Sequence, residues 1–172
     1  MTLSPLFRRG LALAAVVIAL DQVTKWWILT RVMTPPRVIE ITSYFNLVMT
    51  WNRGVSFGMF NNDASWNLWL LPLLVLVISG MLLVWLARAG RPVLALGLGG
   101  ILGGAIGNLI DRLRFGAVAD FLDFHVWGFH WPAFNVADAA ITIGVTVLIA
   151  ESLFGQRETR KSEGRFGRET SE

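Results

Sequence analysis

Four apolar runs separated by polar, turn-rich segments set the rhythm of the chain. Arg8 and Arg9 precede Leu11–Leu20, and the sequence stays helix-compatible to Leu29, which gives about 20 residues, enough to cross a bilayer. This start resembles the charged and apolar regions of a signal peptide, but Asp21, Gln22, Lys25, Trp26 and Trp27 follow where small residues would mark a cleavage site. The first run is therefore expected to remain as a membrane span. Trp66–Ala87 holds no charged residue and ends at Arg88, with Pro72 in its first turns, where proline costs least. Pro92 opens a third run, in which Gly99, Gly103 and Gly107 recur every four residues with Gly100 and Gly104 beside them, a small-residue face that admits a close neighbour. A fourth run follows residue 132. The pattern predicts spans over about 10–29, 66–87, 93–111 and 133–154, an α-helical polytopic membrane protein with one embedded domain over 1–154.

Between the first two spans the texture changes. After Pro35 and Pro36, the stretch VIEITSYFNLVMTWN is rich in β-branched and aromatic residues and partly alternates, which predicts a small β-element within segment 30–65. The stretch WNRGVSFG then sets Asn52 beside Gly54 and Gly58, where glycine permits a tight turn or the close approach of an extended peptide. Segment 112–132 reads as a second outer loop carrying Asp120, Asp123, His125 and His130. Residues 155–172 are polar and basic and are expected to be a disordered tail against the membrane.

Composition strengthens the membrane reading: 54% of the 172 residues are hydrophobic and 16% charged, and mean hydropathy is +0.56. With no cysteine, disulfides and thiolate chemistry are excluded. The net charge of +3 comes from bases at span ends and in the tail, which suits anionic lipid, and no nucleic-acid motif is present. Four spans place both termini on one side. Arg8, Arg9, Arg88, Arg91, Arg157, Arg160, Lys161, Arg165 and Arg168 share that face, nine of the fifteen Lys and Arg, which makes it cytoplasmic by the positive-inside rule although Arg31, Arg37, Arg53, Arg112 and Arg114 fall outside.

On this topology Asp21, Asn52, Asn108, Asp111, Arg112, Asp120, Asn135 and Asp138 gather at the outer ends of the spans, and charged groups beside apolar runs are costly enough to mark function. Asp21 and Lys25, four apart, share a helix face. Two neighbouring carboxylates cannot both ionise cheaply, so a pair such as Asp120 and Asp138 can serve as base and acid toward water and a carbonyl. Spacing leaves alternatives open. The aspartates can instead pair with Lys25, Arg112 and Arg114, or Asp120, Asp123, His125 and His130 can hold a metal, although their spacing matches no metalloprotease helix. Ser79 lies mid-span without a base. A scaffold or small transporter would explain four spans, but its polar groups belong at midplane.

Five ordered motifs sharpen the choice: Asp21-Gln-Val-Thr-Lys25, Asn52-Arg-Gly54-Val-Ser-Phe57-Gly58, Gly103-Gly104-Ala-Ile-Gly107-Asn108-Leu-Ile-Asp111-Arg112, Val118-Ala-Asp120-Phe-Leu-Asp123-Phe, and Phe134-Asn135-Val-Ala-Asp138. In this the chain resembles the bacterial lipoprotein signal peptidases, signal peptidase II, from Leu11 to Phe154. It departs at Ser56, where alanine is usual, and at Ala119, where valine is common. The resemblance implies a metal-independent aspartic endopeptidase of the inner membrane that needs no cofactor and cuts prolipoproteins just before a diacylglyceryl-modified cysteine. It implies Asp120 and Asp138 as the catalytic pair, Asn52, Gly54, Asn108, Arg112 and Asn135 against the substrate, and Asp21, Lys25 and Asp111 in support. It also implies lipidated prolipoproteins and membrane lipid as partners, inhibition by the cyclic peptide globomycin, a site near the outer face, and a monomer.

Arg112 follows Asn108 by one helical turn, and its planar fork can grip a peptide carbonyl or a carboxylate in two places. If it holds the substrate backbone, Arg112→Lys keeps the fold but lowers the cleavage rate on the order of tenfold or more. Steady-state cleavage of a lipidated peptide checks this. Wild-type kinetics at unchanged thermal stability would leave Arg112 an interfacial anchor.

Overall fold

The structure is a computed structural model that describes the backbone of residues 3–54 and 67–169 and the side chains of 3–54 and 69–154. Ser56, Phe57 and Gly58 of the second motif, and Trp66 at the expected start of the second span, lie outside the described residues.

Among the described residues, four helices are long and apolar enough to cross a membrane. Helix α1 (Pro5–Trp27) starts where the Ser4 side chain accepts the Phe7 N–H at 3.1 Å, with proline in the first turn, and passes into a π-helical turn at Ile28–Val32. Helix α2 (Asn67–Ala87) leaves Leu73, Leu76, Met81 and Val84 exposed, as a lipid-facing span does. Helix α3 (Pro92–Phe115) runs past the expected end at 111, so Asp111 and Arg112 are helical, and it stops at Gly116, whose φ of 70° is cheap only for glycine. Helix α4 (Val136–Glu169) begins three residues later than expected and continues beyond Phe154, so the tail's backbone is helical where disorder was expected. Its Gln, Arg, Glu and Lys cannot build a core, but they are good helix formers.

The β-element is larger than the sequence suggests. Strands β1 (Ile39–Thr42) and β2 (Phe45–Asn52) are joined by β3 (Val118–Val126) and β4 (Phe129–His130) in one antiparallel sheet of order β1-β2-β3-β4. Asp120 therefore sits on a strand rather than in the expected loop, paired across the ladder with Thr50. Val118, Ala119, Asp120 and Phe121 are all buried, so the start of β3 is covered on both faces and shows no alternation. Phe121 packs with Ile28 and Met33 at the end of the first span, and Leu122 bridges Phe134 just before α4, which fastens the sheet to one end of the bundle.

Helix α3 lies between α1 and α4. A Cβ at Gly99 would strike the carbonyl oxygen of Gly10, and one at Gly103 would meet the Ala14 oxygen at 2.7 Å, so this face lies directly on the α1 backbone. On the other side Gly104 touches the Ala137 carbonyl, and a Cβ at Gly144 of α4 would come within 2.7 Å of the Gly97 oxygen. Small residues let backbones approach where lipid offers no hydrophobic drive between helices.

Gly103→Val is expected to destabilise the fold on the order of 1–3 kcal/mol by forcing α1 off α3. Gly80→Ala, whose added Cβ meets nothing within 4 Å, is expected to be near neutral. Thermal unfolding in detergent compares the two, and equal midpoints would show that α1 is not held by this contact.

Candidate active site

The polar residues at the sheet end of the bundle form one connected network, built outward from Lys25. One turn after Asp21 on α1, its ammonium lies 2.8 Å from Asp21 Oδ2 and 2.9 Å from Asp111 Oδ2, and it donates to Asn108 Oδ1 at 2.9 Å. All four side chains are buried, and the three protons of the ammonium have three acceptors. The two carboxylates extend the ties. Asp21 Oδ1 accepts the Ala137 N–H of α4 at 3.0 Å, and Asp111 Oδ2 accepts the Ala119 N–H of β3 at 3.1 Å. Gln22, which the sequence reading passed over, donates to Asp111 Oδ1 at 3.0 Å and to the Gly107 carbonyl at 3.2 Å. Its signal in the sequence is a polar residue beside Asp21 in an apolar run, inside the first of the five motifs.

A second layer of amides is oriented by the first. Asn108 Oδ1 faces Lys25, so its Nδ2 must face Asp138, and it donates to Asp138 Oδ1 at 2.7 Å. Asn135 Nδ2 donates to Asp120 Oδ1 at 2.7 Å and to Asn108 Oδ1 at 3.1 Å. Asn135 also caps α4: Asp138 N–H donates to Asn135 Oδ1 at 3.0 Å while Asn135 N–H donates to Asp138 Oδ2 at 3.2 Å, a reciprocal cap with aspartate at its third position. From β2, Asn52 Nδ2 donates to Asp120 Oδ2 at 3.2 Å, and the Gly54 N–H on Asn52 Oδ1 at 3.3 Å sets that amide's direction.

Asp120 and Asp138 thus come together from a strand and a helix start, and both line a cavity of about 520 Å³ with Asn52, Trp131, Phe134 and the Ala139, Thr142 and Ile143 face of α4. Neither is in an ion pair among the described residues, where Lys25 takes Asp21 and Asp111 and His130 takes Asp123. Burial first, and the neighbouring Asp138 charge second, push the Asp120 carboxyl up to about 6, against the hydrogen bonds from Asn52 and Asn135 that pull it down. Arg112 is half-buried beside them: it donates to the Asn108 carbonyl at 3.3 Å, and its Nε is buried without a partner among the described residues. No aspartate pairs with an arginine among the described residues. The four residues weighed as metal ligands do not meet as a set either, since Asp120 faces Asn135 and Asn52 while Asp123 faces His130 and Asn46. No group of three His, Asp or Glu side chains placed for a metal occurs among the described residues.

A family model described as signal peptidase (SPase) II matches residues 13–154. The lipoprotein signal peptidase of Methylobacterium sp. (strain 4-46) is 43% identical over 86% of this chain and 90% of its own length. That of Nitratidesulfovibrio vulgaris (strain DP4) is 48% identical over 83% of this chain and 87% of its own. A solved bacterial membrane enzyme superposes with a TM-score of 0.73 at 28% identity, covering 84% of this chain and 87% of that one. A multi-pass helical bundle, a capping sheet and a polar network at their junction accompany this likeness along nearly the whole chain, which belongs to the signal peptidase II family.

Proposed function

We propose that this chain removes the signal peptide from prolipoproteins carrying a diacylglyceryl-modified cysteine, cutting just before that cysteine, with Asp120 and Asp138 as the catalytic pair. The observation that carries this reading is the division of the aspartates. Asp21 and Asp111 share an ammonium and Asp123 faces an imidazole, whereas among the described residues Asp120 and Asp138 have only amide and peptide N–H donors and face a cavity. Two such carboxyls share a proton readily. With Asp120 holding it, Asp138 accepts a proton from the attacking water as its oxygen adds to the scissile carbonyl, and Asp120 protonates the carbonyl oxygen. Collapse of the resulting diol re-forms the carbonyl as one hydroxyl returns its proton to Asp120, and the C–N bond breaks as the amine takes a proton from Asp138, which restores the starting protonation of the pair. Asn52, Gly54, Asn108, Arg112 and Asn135 position the substrate backbone, and Asp21, Lys25 and Asp111 hold the frame. The reaction needs no metal.

The exposed Thr142 and Ile143 in the cavity wall lie on a membrane-crossing helix, so a lipidated peptide can reach the site from within the bilayer. On this reading the protein works in the cell inner membrane, with cytoplasmic termini and its site near the outer face, as a monomer that globomycin inhibits.

Asp120→Asn and Asp138→Asn are each expected to lower cleavage of a purified lipidated peptide by at least about 10²-fold while the protein stays folded in detergent, since an amide keeps the shape but moves no proton. Normal turnover by either variant would remove that residue from the mechanism. The pH profile gives a second check. A carboxyl raised to about 6 keeps its proton below that pH and loses it above, so kcat/KM is expected to fall as pH rises past about 6, roughly tenfold per unit. A profile flat from about pH 5 to about pH 8 would show that no shared proton limits the reaction.

A further inference from the structure

A second concavity, of about 680 Å³, adjoins the carboxylate cavity, and the connector Trp131–Ala133 forms a wall of both. Its other walls are Pro36–Val38, part of β2, Asp123 and His130, all outside the membrane-crossing helices. It starts at Thr50, which pairs directly with Asp120 across the β2–β3 ladder, and extends to Asn46, which pairs with Asp123. Asp120 to Asp123 is three residues of strand, so the concavity runs about 10 Å away from the site. Where it passes Val48 and Met49, the β2–β3 register is broken by a bulge that opens the ladder.

Its far end is polar and incompletely satisfied. Asn46 is 6% exposed; its Nδ2 donates to Asp123 Oδ2 at 3.0 Å, and its Oδ1 is buried without a donor among the described residues. Asp123 also meets His130 Nδ1 at 2.9 Å. Although burial raises its pKa, the hydrogen bonds from His130 and Asn46 hold Asp123 below the usual carboxylate range, so it presents a negative charge. A buried acceptor left unpaired is destabilising, and a donor arriving beside it relieves that cost. Aspartate, asparagine and histidine at one end of a slot fit a ligand rich in N–H and hydroxyl donors, as an extended peptide is.

We infer that this concavity is the subsite for the roughly three residues that follow the lipidated cysteine, with Asn46 as an acceptor for their backbone N–H groups. The inference rests on the peptidase reading above and adds to it a recognition of the mature side of the cut. The substrate's own geometry supplies the direction. Its apolar signal segment lies in the bilayer, toward the Thr142 and Ile143 wall of the first cavity, so the chain beyond the scissile bond must leave toward the sheet. The second concavity is the adjoining space on that side.

The experiment uses the full chain in detergent and two lipidated peptides with amidated C-termini, one ending at the modified cysteine and one carrying three further residues. With wild-type protein, kcat/KM is expected to be roughly fivefold or more higher for the longer peptide, the worth of one or two backbone hydrogen bonds. In Asn46→Ala that ratio is expected to shrink toward one. Equal kcat/KM for the two peptides with wild-type protein overturns the subsite, whatever the variant does. An undiminished ratio in Asn46→Ala overturns the role of Asn46. Cleavage of neither peptide by wild-type protein would overturn the peptidase reading and the subsite with it.

Discussion

The ammonium of Lys25 is the group on which the outer end of this protein depends. It is buried, as are Asp21, Asp111 and Asn108 around it, and desolvating such charges is tolerable only because each has a partner. Through those partners one side chain on α1 reaches α3 directly, α4 through the Ala137 N–H, and β3 through the Ala119 N–H. Without its charge, two carboxylates would be left facing each other inside the bundle, and four elements would lose their common point.

That arrangement also explains why, among the described residues, the two carboxylates nearest the cavity can be left without an ion-pair contact. Among the described residues the Lys25 ammonium goes to Asp21 and Asp111, and Asp120 and Asp138 receive neutral amides whose directions are already decided: Asn108 by Lys25, and Asn52 by the Gly54 N–H. A neutral donor steadies a carboxylate without fixing its protonation state as firmly as a cation would. The outcome is a pair of acids held in place by neutral donors.

The four spans were legible because bilayer-length apolar runs are the plainest signal a sequence carries. Their ends were less so. Charged Asp111, Arg112 and Arg114 end the hydropathy run of α3, but they do not end its backbone hydrogen bonding, which continues to Phe115. The gathering of polar residues at one end followed from topology, and the motifs joined them into a family. What spacing alone did not give was the partition of the aspartates, since that depends on which one an ammonium reaches. Nor did it give the strand under Asp120: β3 starts buried on both faces, and its partner β2 lies far back in the chain, so neither alternation nor a nearby turn announced the pairing.

The cap at the start of α4 has one further consequence. Asn135 and Asp138 close the first turn on each other, while Asn135 also holds Asp120 and Asp138 also receives Asn108. The hydrogen bonds that begin a helix are therefore the same ones that aim both acids. Helix ends are ordinarily where a chain frays first; here fraying by a single turn would scatter both acids, so local melting and loss of their alignment are one event. A ligand that settles between the two acids would, by the same linkage, be felt as a stiffening of the fourth span.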